Sequence, residues 1–162
     1  MSRQRLNINT FLASVLGLGF IPLAPGTFGT VFAAAVYILL PGSILTGSGW
    51  FYYAAGLILL TGVSVFLSSK AEAKLGHDAP QIVIDEVCGY FLAVLLLPRT
   101  LMIAIYAFIL FRAFDIAKPY PVNVLQKLPK GWGVVADDLM AGLYANIILQ
   151  IMLRIVPKFF GQ

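Results

Sequence analysis

The chain has 162 residues, of which 60% are hydrophobic and 11% are charged. A soluble domain is about 45–50% apolar and about 25% charged, so this composition excludes an ordinary soluble globular protein. The formal net charge is +4, but the basic residues do not form a stripe interleaved with aromatics, and we expect no nucleic-acid partner. Cys88 is the only cysteine, which excludes an intrachain disulfide and a cysteine-based zinc site.

The hydropathy pattern indicates an integral membrane protein. The first apolar stretch is broken at Pro25–Gly26, and Thr27 is the expected cap of a half-helix over Phe28–Leu40. A tight turn at 98–100 is expected between the short third and fourth stretches. The sequence therefore predicts an all-α, polytopic helical membrane protein, with about five apolar helices in one domain over residues 1–162. The five stretches are Phe11–Leu40, Trp50–Leu67, Val87–Leu97, Leu101–Phe111 and Leu139–Val156.

The distribution of basic residues predicts the orientation, because cytoplasmic loops carry the excess of Lys and Arg. With the N-terminus in the cytoplasm, Arg99 and Lys158 lie outside. Both acidic loops, 70–86 and 112–138, then lie on the cytoplasmic side, where any chemistry is expected. The basic residues predicted inside are Arg3, Arg5, Lys70, Lys74, Arg112, Lys118, Lys127 and Lys130.

The acidic residues are confined to one part of the chain, between residues 72 and 138. Two adjacent pairs, Asp85–Glu86 and Asp137–Asp138, each stand at the start of an apolar stretch. Carboxylates at a membrane boundary are costly unless they are paired, solvated or bound to a cation. The two pairs therefore indicate a divalent metal site, and an oxygen-rich ligand set favours Mg²⁺ or Mn²⁺. The alternative is that these acids only cap helices, with Asp137 capping a helix that begins at Leu139.

Two cations surround a further acid, because Arg112 and Lys118 flank Asp115 at helical spacing. Such a group is suited to binding a phosphate, although topological anchoring is an alternative role for each cation. Thr27 opens a half-helix whose first N–H groups could also face an anion, and a simple kink is the alternative there.

Several hydrolytic mechanisms are excluded by missing residues. A cysteine phosphatase needs an arginine six residues after its thiolate, and Val94 stands six residues after Cys88. A histidine phosphatase needs more than the single His77. No Gly-x-Ser-x-Gly motif or nucleotide-binding P-loop is present. Among the hydrolytic mechanisms considered, metal-assisted attack on a phosphate ester remains.

Together, four motifs resemble the phosphatidylglycerophosphatase A family of bacterial membrane enzymes: LAPGTFGT at 23–30, HDAPQIVIDEVCG at 77–89, FRAFDIAKPYP at 111–121 and GWGVVADDLMAG at 131–142. The resemblance implies Mg²⁺-dependent hydrolysis of phosphatidylglycerophosphate to phosphatidylglycerol and inorganic phosphate. It also implies a multi-pass protein of the bacterial cytoplasmic (inner) membrane, with the site facing the cytoplasm. The metal ligands carried over are Asp78, Asp85, Glu86, Asp137 and Asp138. The catalytic companions are Thr27, Arg112, Asp115 and Lys118.

Three other classes of function fit parts of the pattern. A cation or proton-coupled transporter could use the same carboxylates. A CDP-alcohol phosphotransferase would need a longer Asp-rich helix pattern that the chain lacks, and a non-catalytic scaffold would not explain the gathering of the acids. The sequence leaves open the number of metal ions, the oligomeric state, and whether water or an aspartate is the nucleophile.

Overall fold

A computed structural model describes residues 7–160, and every regular element in this range is helical. The predicted all-α class is confirmed. Arg3 and Arg5, which contributed to the predicted orientation, lie outside the described residues. The α-helices are α1 (Ile8–Ala13), α2 (Pro25–Leu39), α3 (Gly49–Leu75), α4 (Ile84–Ala93), α5 (Leu101–Ala117), α6 (Val122–Leu125) and α7 (Gly131–Ile155). Short 3₁₀ turns occur at Leu18–Phe20, Gly42–Leu45 and Pro157–Phe160.

Two of the described helices, α3 and α7, are long and apolar enough to cross a membrane. The expected number of about five apolar spanning helices is therefore not confirmed. The third predicted stretch forms α4, which has 10 residues and a length of about 15 Å, half the thickness of the hydrocarbon core. Large apolar side chains on α3 are open to the surroundings, for example Phe51 at 77% exposure and Ile58 at 74%. A bilayer would cover such a surface.

The predicted break in the first apolar stretch is present, but its details differ from the expectation. The helix after the break begins at Pro25, and Thr27 is its third residue. The capping position is taken by Ala24, which has a left-handed backbone with φ of 56°. The cap assigned to Thr27 is therefore wrong, because proline already has the φ that the first helical position needs.

The capping role considered for Asp137 is also wrong. Helix α7 begins at Gly131, so Asp137 and Asp138 lie in its second turn, beyond the reach of a helix cap. On α5, by contrast, the Thr100 side chain accepts a hydrogen bond from the Ile103 N–H at 3.1 Å and caps the helix after the connection from α4.

The ends of four long helices meet in two pairs. Gly131, the first residue of α7, donates its N–H to the Ser69 hydroxyl in the last turns of α3, at 3.0 Å. Gly26, in the first turn of α2, adjoins Arg112 near the end of α5. Within each pair, one helix therefore begins where the other is ending. At the opposite end of α2 and α5, the Arg99 guanidinium donates to the carbonyls of Ile38 and Leu40.

Helices α4 and α7 cross at two glycines. A Cβ on Gly142 would lie 2.1 Å from the Gly89 carbonyl oxygen, and a Cβ on Gly89 would lie 2.7 Å from the Asp138 carbonyl oxygen. Side chains at these positions would separate the helices. The acidic residues 85 and 86 lie about one turn before Gly89, and Asp138 lies about one turn before Gly142. The close crossing therefore brings these carboxylates together.

Candidate active site

A cluster of three carboxylates lies where α4 crosses α7. Carboxylate oxygens of Asp85, Glu86 and Asp138 lie within 4.8 Å of one another. Asp85 is 5% exposed and Asp138 is 4% exposed. One oxygen of each residue is buried and has no hydrogen-bond partner within residues 7–160: Asp85 Oδ1, Glu86 Oε2 and Asp138 Oδ2. Buried oxygens left in this state are costly, and a divalent cation would satisfy them.

The carboxyl groups of this cluster repel one another when they are ionised. Burial, together with the neighbouring Glu86, raises the pKa of the Asp85 carboxyl well above its usual value. Burial also raises the pKa of the Glu86 carboxyl to about 7, with repulsion from Asp115 adding to it and the Arg112 charge opposing it. Without a compensating cation, such groups are favoured in their neutral form. The cluster is therefore an arrangement that a bound cation would stabilise.

Arg112 connects the cluster to the end of α5. Its Nη1 donates to Asp115 Oδ2 at 2.5 Å and lies 3.9 Å from Glu86 Oε1. The Arg112 Nε is buried and has no hydrogen-bond partner in the described structure. An arginine in this state has a donor available for an anion, and guanidinium groups recognise phosphate oxygens well.

Lys118 provides a second cation at the C-terminal cap of α5. Its Nζ donates to Asp137 Oδ2 at 2.6 Å and lies 4.0 Å from Asp78 Oδ2. Burial opposes the charge of the Lys118 ammonium group, but the hydrogen bond and the charge of Asp137 outweigh it and raise the pKa of Lys118. Gln126 also donates to Asp78, through its Nε2. Lys118 is therefore held between acids from two different segments.

The first turn of α2 closes another side of the cluster. A Cβ on Gly26 would lie 2.1 Å from Glu86 Oε1 and 2.9 Å from Arg112 Nη1. Only a glycine at position 26 lets the α2 backbone come this close to Glu86 and Arg112. The close contact places the start of α2 beside both the carboxylates and the arginine. Thr27, next along the helix, is half-buried.

The structure thus distributes the predicted residues over two connected groups. The first contains Asp85, Glu86 and Asp138 with Arg112 and Asp115. The second contains Lys118, Asp137 and Asp78, and Thr27 lies beside Gly26 near the first group. Gly26 and Gln126 were not predicted as parts of the site. The sequence could have indicated a role for Gly26, because it directly follows the helix-breaking Pro25. No sequence motif points to Gln126.

The described residues form helices, two of which are long enough to cross a membrane, and they bury carboxylates between an arginine and a lysine. These are the features of a membrane enzyme acting on phosphate esters. A model of the family described as phosphatidylglycerophosphatase A matches residues 11–153. The chain belongs to this family, which confirms the resemblance seen in its four motifs.

Three relatives support this assignment. Phosphatidylglycerophosphatase A of Haemophilus influenzae is 36% identical over 147 residues, covering 89% of this chain and 88% of the relative. The Escherichia coli protein of the same name is 29% identical over 155 residues, covering 92% and 87%. A Bacteroides thetaiotaomicron protein, provisionally named a phosphatidylinositol-3-phosphatase, is 37% identical over 142 residues, covering 83% and 87%. No solved structure is a significant match.

Proposed function

We propose that this chain hydrolyses phosphatidylglycerophosphate to phosphatidylglycerol and inorganic phosphate, with Mg²⁺ as its cofactor, at the cytoplasmic face of the bacterial inner membrane. The main support is the cluster of Asp85, Glu86 and Asp138, in which each residue has a buried oxygen without a partner in the described part of the chain, and Glu86 lies beside the Arg112 guanidinium. Membership of a phosphatase family supports the reaction class. A transporter that uses the same carboxylates is not favoured by these relatives.

The cluster fits a hard divalent cation, because the three residues that the described structure brings together there all offer carboxylate oxygens. In our proposal Asp85, Glu86 and Asp138 hold Mg²⁺, and Asp137 and Asp78 hold Lys118. When bound, the ion would neutralise charge on the phosphoryl oxygens and activate water for attack.

The protein's own cations would position the substrate phosphate. The unpartnered Arg112 Nε can donate to one phosphate oxygen while Asp115 fixes the guanidinium orientation through the 2.5 Å contact. Lys118 would add a point charge as negative charge develops on the oxygens. Thr27 follows Gly26 in the first turn of α2, and its hydroxyl is a further proposed donor to the phosphate.

The nucleophile in this proposal is water, with Asp115 as the candidate base. Asp115 accepts a hydrogen bond from Arg112, so its carboxylate has an orienting role even before any proton transfer. A direct attack by Asp115 is the alternative. The stereochemistry at phosphorus would distinguish them: one in-line displacement by water inverts the configuration of a chiral phosphate, whereas attack by Asp115 followed by hydrolysis of the aspartyl phosphate gives net retention.

The membrane orientation can be tested with cysteines at the two ends of the molecule. Lys127 is exposed and follows Gln126, whose side chain contacts Asp78 of the site, and Ser48 is the exposed residue before α3. In a Cys88→Ser background, intact cells carrying Ser48→Cys should react with a membrane-impermeant thiol reagent, and cells carrying Lys127→Cys should react only after lysis. The reverse pattern would place the site on the outer face and contradict the proposed location.

The activity is tested by phosphate release from detergent-purified protein, measured with Mg²⁺ and with EDTA. Phosphatidylglycerophosphate and phosphatidylinositol 3-phosphate are compared as substrates, because one relative is named for the second lipid. Mg²⁺-dependent release from phosphatidylglycerophosphate, lost in Asp138→Asn, is the expected result. Release from neither lipid with any divalent metal would contradict the proposed function.

A further inference from the structure

Glu72 lies in the last turns of α3, outside the carboxylate cluster, and its side chain is only 8% exposed. Its Oε1 lies 2.5 Å from His77 Nδ1 and accepts the backbone N–H of Asp78 at 3.1 Å. We propose that Glu72 is a positioning residue, which holds Asp78 in place and, through Asp78, fixes the ammonium group of Lys118. This inference rests on the proposed phosphatase function for its effect on turnover.

The position of Glu72 in its helix is unusual electrostatically. The C-terminal end of a helix carries partial negative charge, so a carboxylate in the last turns is disfavoured and a cation is favoured. Lys74 follows the favoured pattern in α3, whereas Glu72 does not. The two donors from residues 77 and 78 both contact Oε1 and offset part of this cost, while Oε2 is buried without a hydrogen-bond partner among the described residues.

The Glu72 contact stabilises the backbone of Asp78. Its φ is 50°, in the left-handed region that most residues with a Cβ avoid and that Asp adopts more often than they do. Gly76, two residues earlier, has a φ of 100° and ends α3. The hydrogen bond from the Asp78 N–H to Glu72 therefore stabilises the conformation that directs the Asp78 side chain towards α5 and α6.

From Asp78 the contacts continue to Lys118. The Asp78 carboxylate accepts a hydrogen bond from Gln126 Nε2, and its Oδ2 lies 4.0 Å from Lys118 Nζ. Lys118 in turn donates to Asp137 at 2.6 Å. A lysine side chain has many rotamers, and a second acid on its other side restricts them. Loss of Glu72 should therefore loosen Lys118 without removing any group that contacts the phosphate.

The first test measures the reactivity of the Lys118 amine in purified protein. An acylating reagent is applied briefly, and modification of Lys118 is quantified by peptide mass spectrometry relative to the exposed Lys127. Glu72→Ala should raise this ratio about threefold to tenfold. The factor corresponds to the free energy of the one hydrogen bond that holds the Asp78 N–H, and its loss would free Asp78 and, with it, Lys118. Glu72→Gln keeps an oxygen acceptor for the Asp78 N–H and should stay near wild type. His77→Ala, which removes only the other partner of Glu72, should also stay near wild type.

The second test measures turnover. Glu72→Ala should lower kcat/KM by about the same factor, and Glu72→Gln should keep most of the wild-type kcat/KM. In an Asp78→Ala background, Glu72→Ala should have little further effect, because Glu72 acts on Lys118 through Asp78. An unchanged Lys118 ratio in Glu72→Ala, or an undiminished effect of Glu72→Ala in the Asp78→Ala background, would overturn the proposal. If wild type releases no phosphate, the proposed function fails and the Lys118 ratio still decides the role of Glu72.

Discussion

Gly26 and Glu86 are 60 residues apart in the chain, yet a Cβ added to Gly26 would lie 2.1 Å from Glu86 Oε1. The first turn of α2 therefore rests directly on a member of the carboxylate cluster. The same added atom would lie 2.9 Å from Arg112 Nη1. A single methyl group at this position would displace one carboxylate and one cation together.

Gly26→Ala should lower kcat/KM about 100-fold, because a displacement of about 1 Å in a catalytic group can have an effect of this size. The matched control is Gly56→Ala in α3, where an added Cβ meets no atom of residues 7–160 within 4 Å. The control should keep its activity and melt at or slightly above the temperature of wild type. Phosphate release and thermal melting in detergent measure the two effects, and wild-type activity in Gly26→Ala would contradict the close approach.

Mg²⁺ should stabilise the wild-type protein against heat, and Asp138→Asn should remove that effect. A ligand that binds only the folded state at about 100 times its Kd adds about 2.7 kcal/mol of stability. In EDTA, Asp138→Asn should melt at or above the temperature of wild type, because it removes a buried carboxyl group whose ionisation beside two other acids is costly. Melting curves in Mg²⁺ and in EDTA test both statements. An equal rise with Mg²⁺ in the variant would show that Asp138 does not hold the ion.

The sequence predicts both the helical class and the gathering of the acids. The physical reason for the helical class is simple. Long apolar segments must satisfy their backbone groups internally, which a helix does. A proline also has the backbone angle of a helix start, so the break before α2 can be found from Pro25 alone. Capping residues were harder to assign, because the long helix α7 begins six residues before Asp137.

The division of roles between Asp137 and Asp138 depends on tertiary structure. Neighbouring residues on a helix point about 100° apart, so one of the two faces α4 and the other faces Lys118. The sequence cannot say which is which until the rotation of α7 is known. Gln126 was missed for a similar reason, because its contact with Asp78 joins segments 48 residues apart.

Gly142→Ala should disrupt the crossing of α4 and α7. The new Cβ would lie 2.1 Å from the Gly89 carbonyl oxygen, which is backbone and cannot move aside as a side chain could. We expect a lower melting temperature, and a phosphatase activity reduced at least tenfold because Asp138 moves away from the acids of α4. Gly62→Ala is the control, since no atom of the described structure lies within 4 Å of its added Cβ. This variant should melt at or slightly above wild type. Equal melting temperatures for the two variants would contradict the close crossing.

Lys118→Ala should lower both stability and activity, and a second substitution should separate the two. The Asp137 side chain is only 3% exposed, so removing Lys118 leaves a buried carboxylate without its partner, at a cost of about 3–5 kcal/mol when such a pair is broken. The double variant Lys118→Ala/Asp137→Asn removes that charge and should recover much of the melting temperature. It should stay about 100-fold below wild type in kcat/KM, because a phosphate-binding cation is still missing. Lys127→Ala, at an exposed position, should match wild type in both measurements. Recovery of activity along with stability in the double variant would mean that Lys118 serves only to balance Asp137.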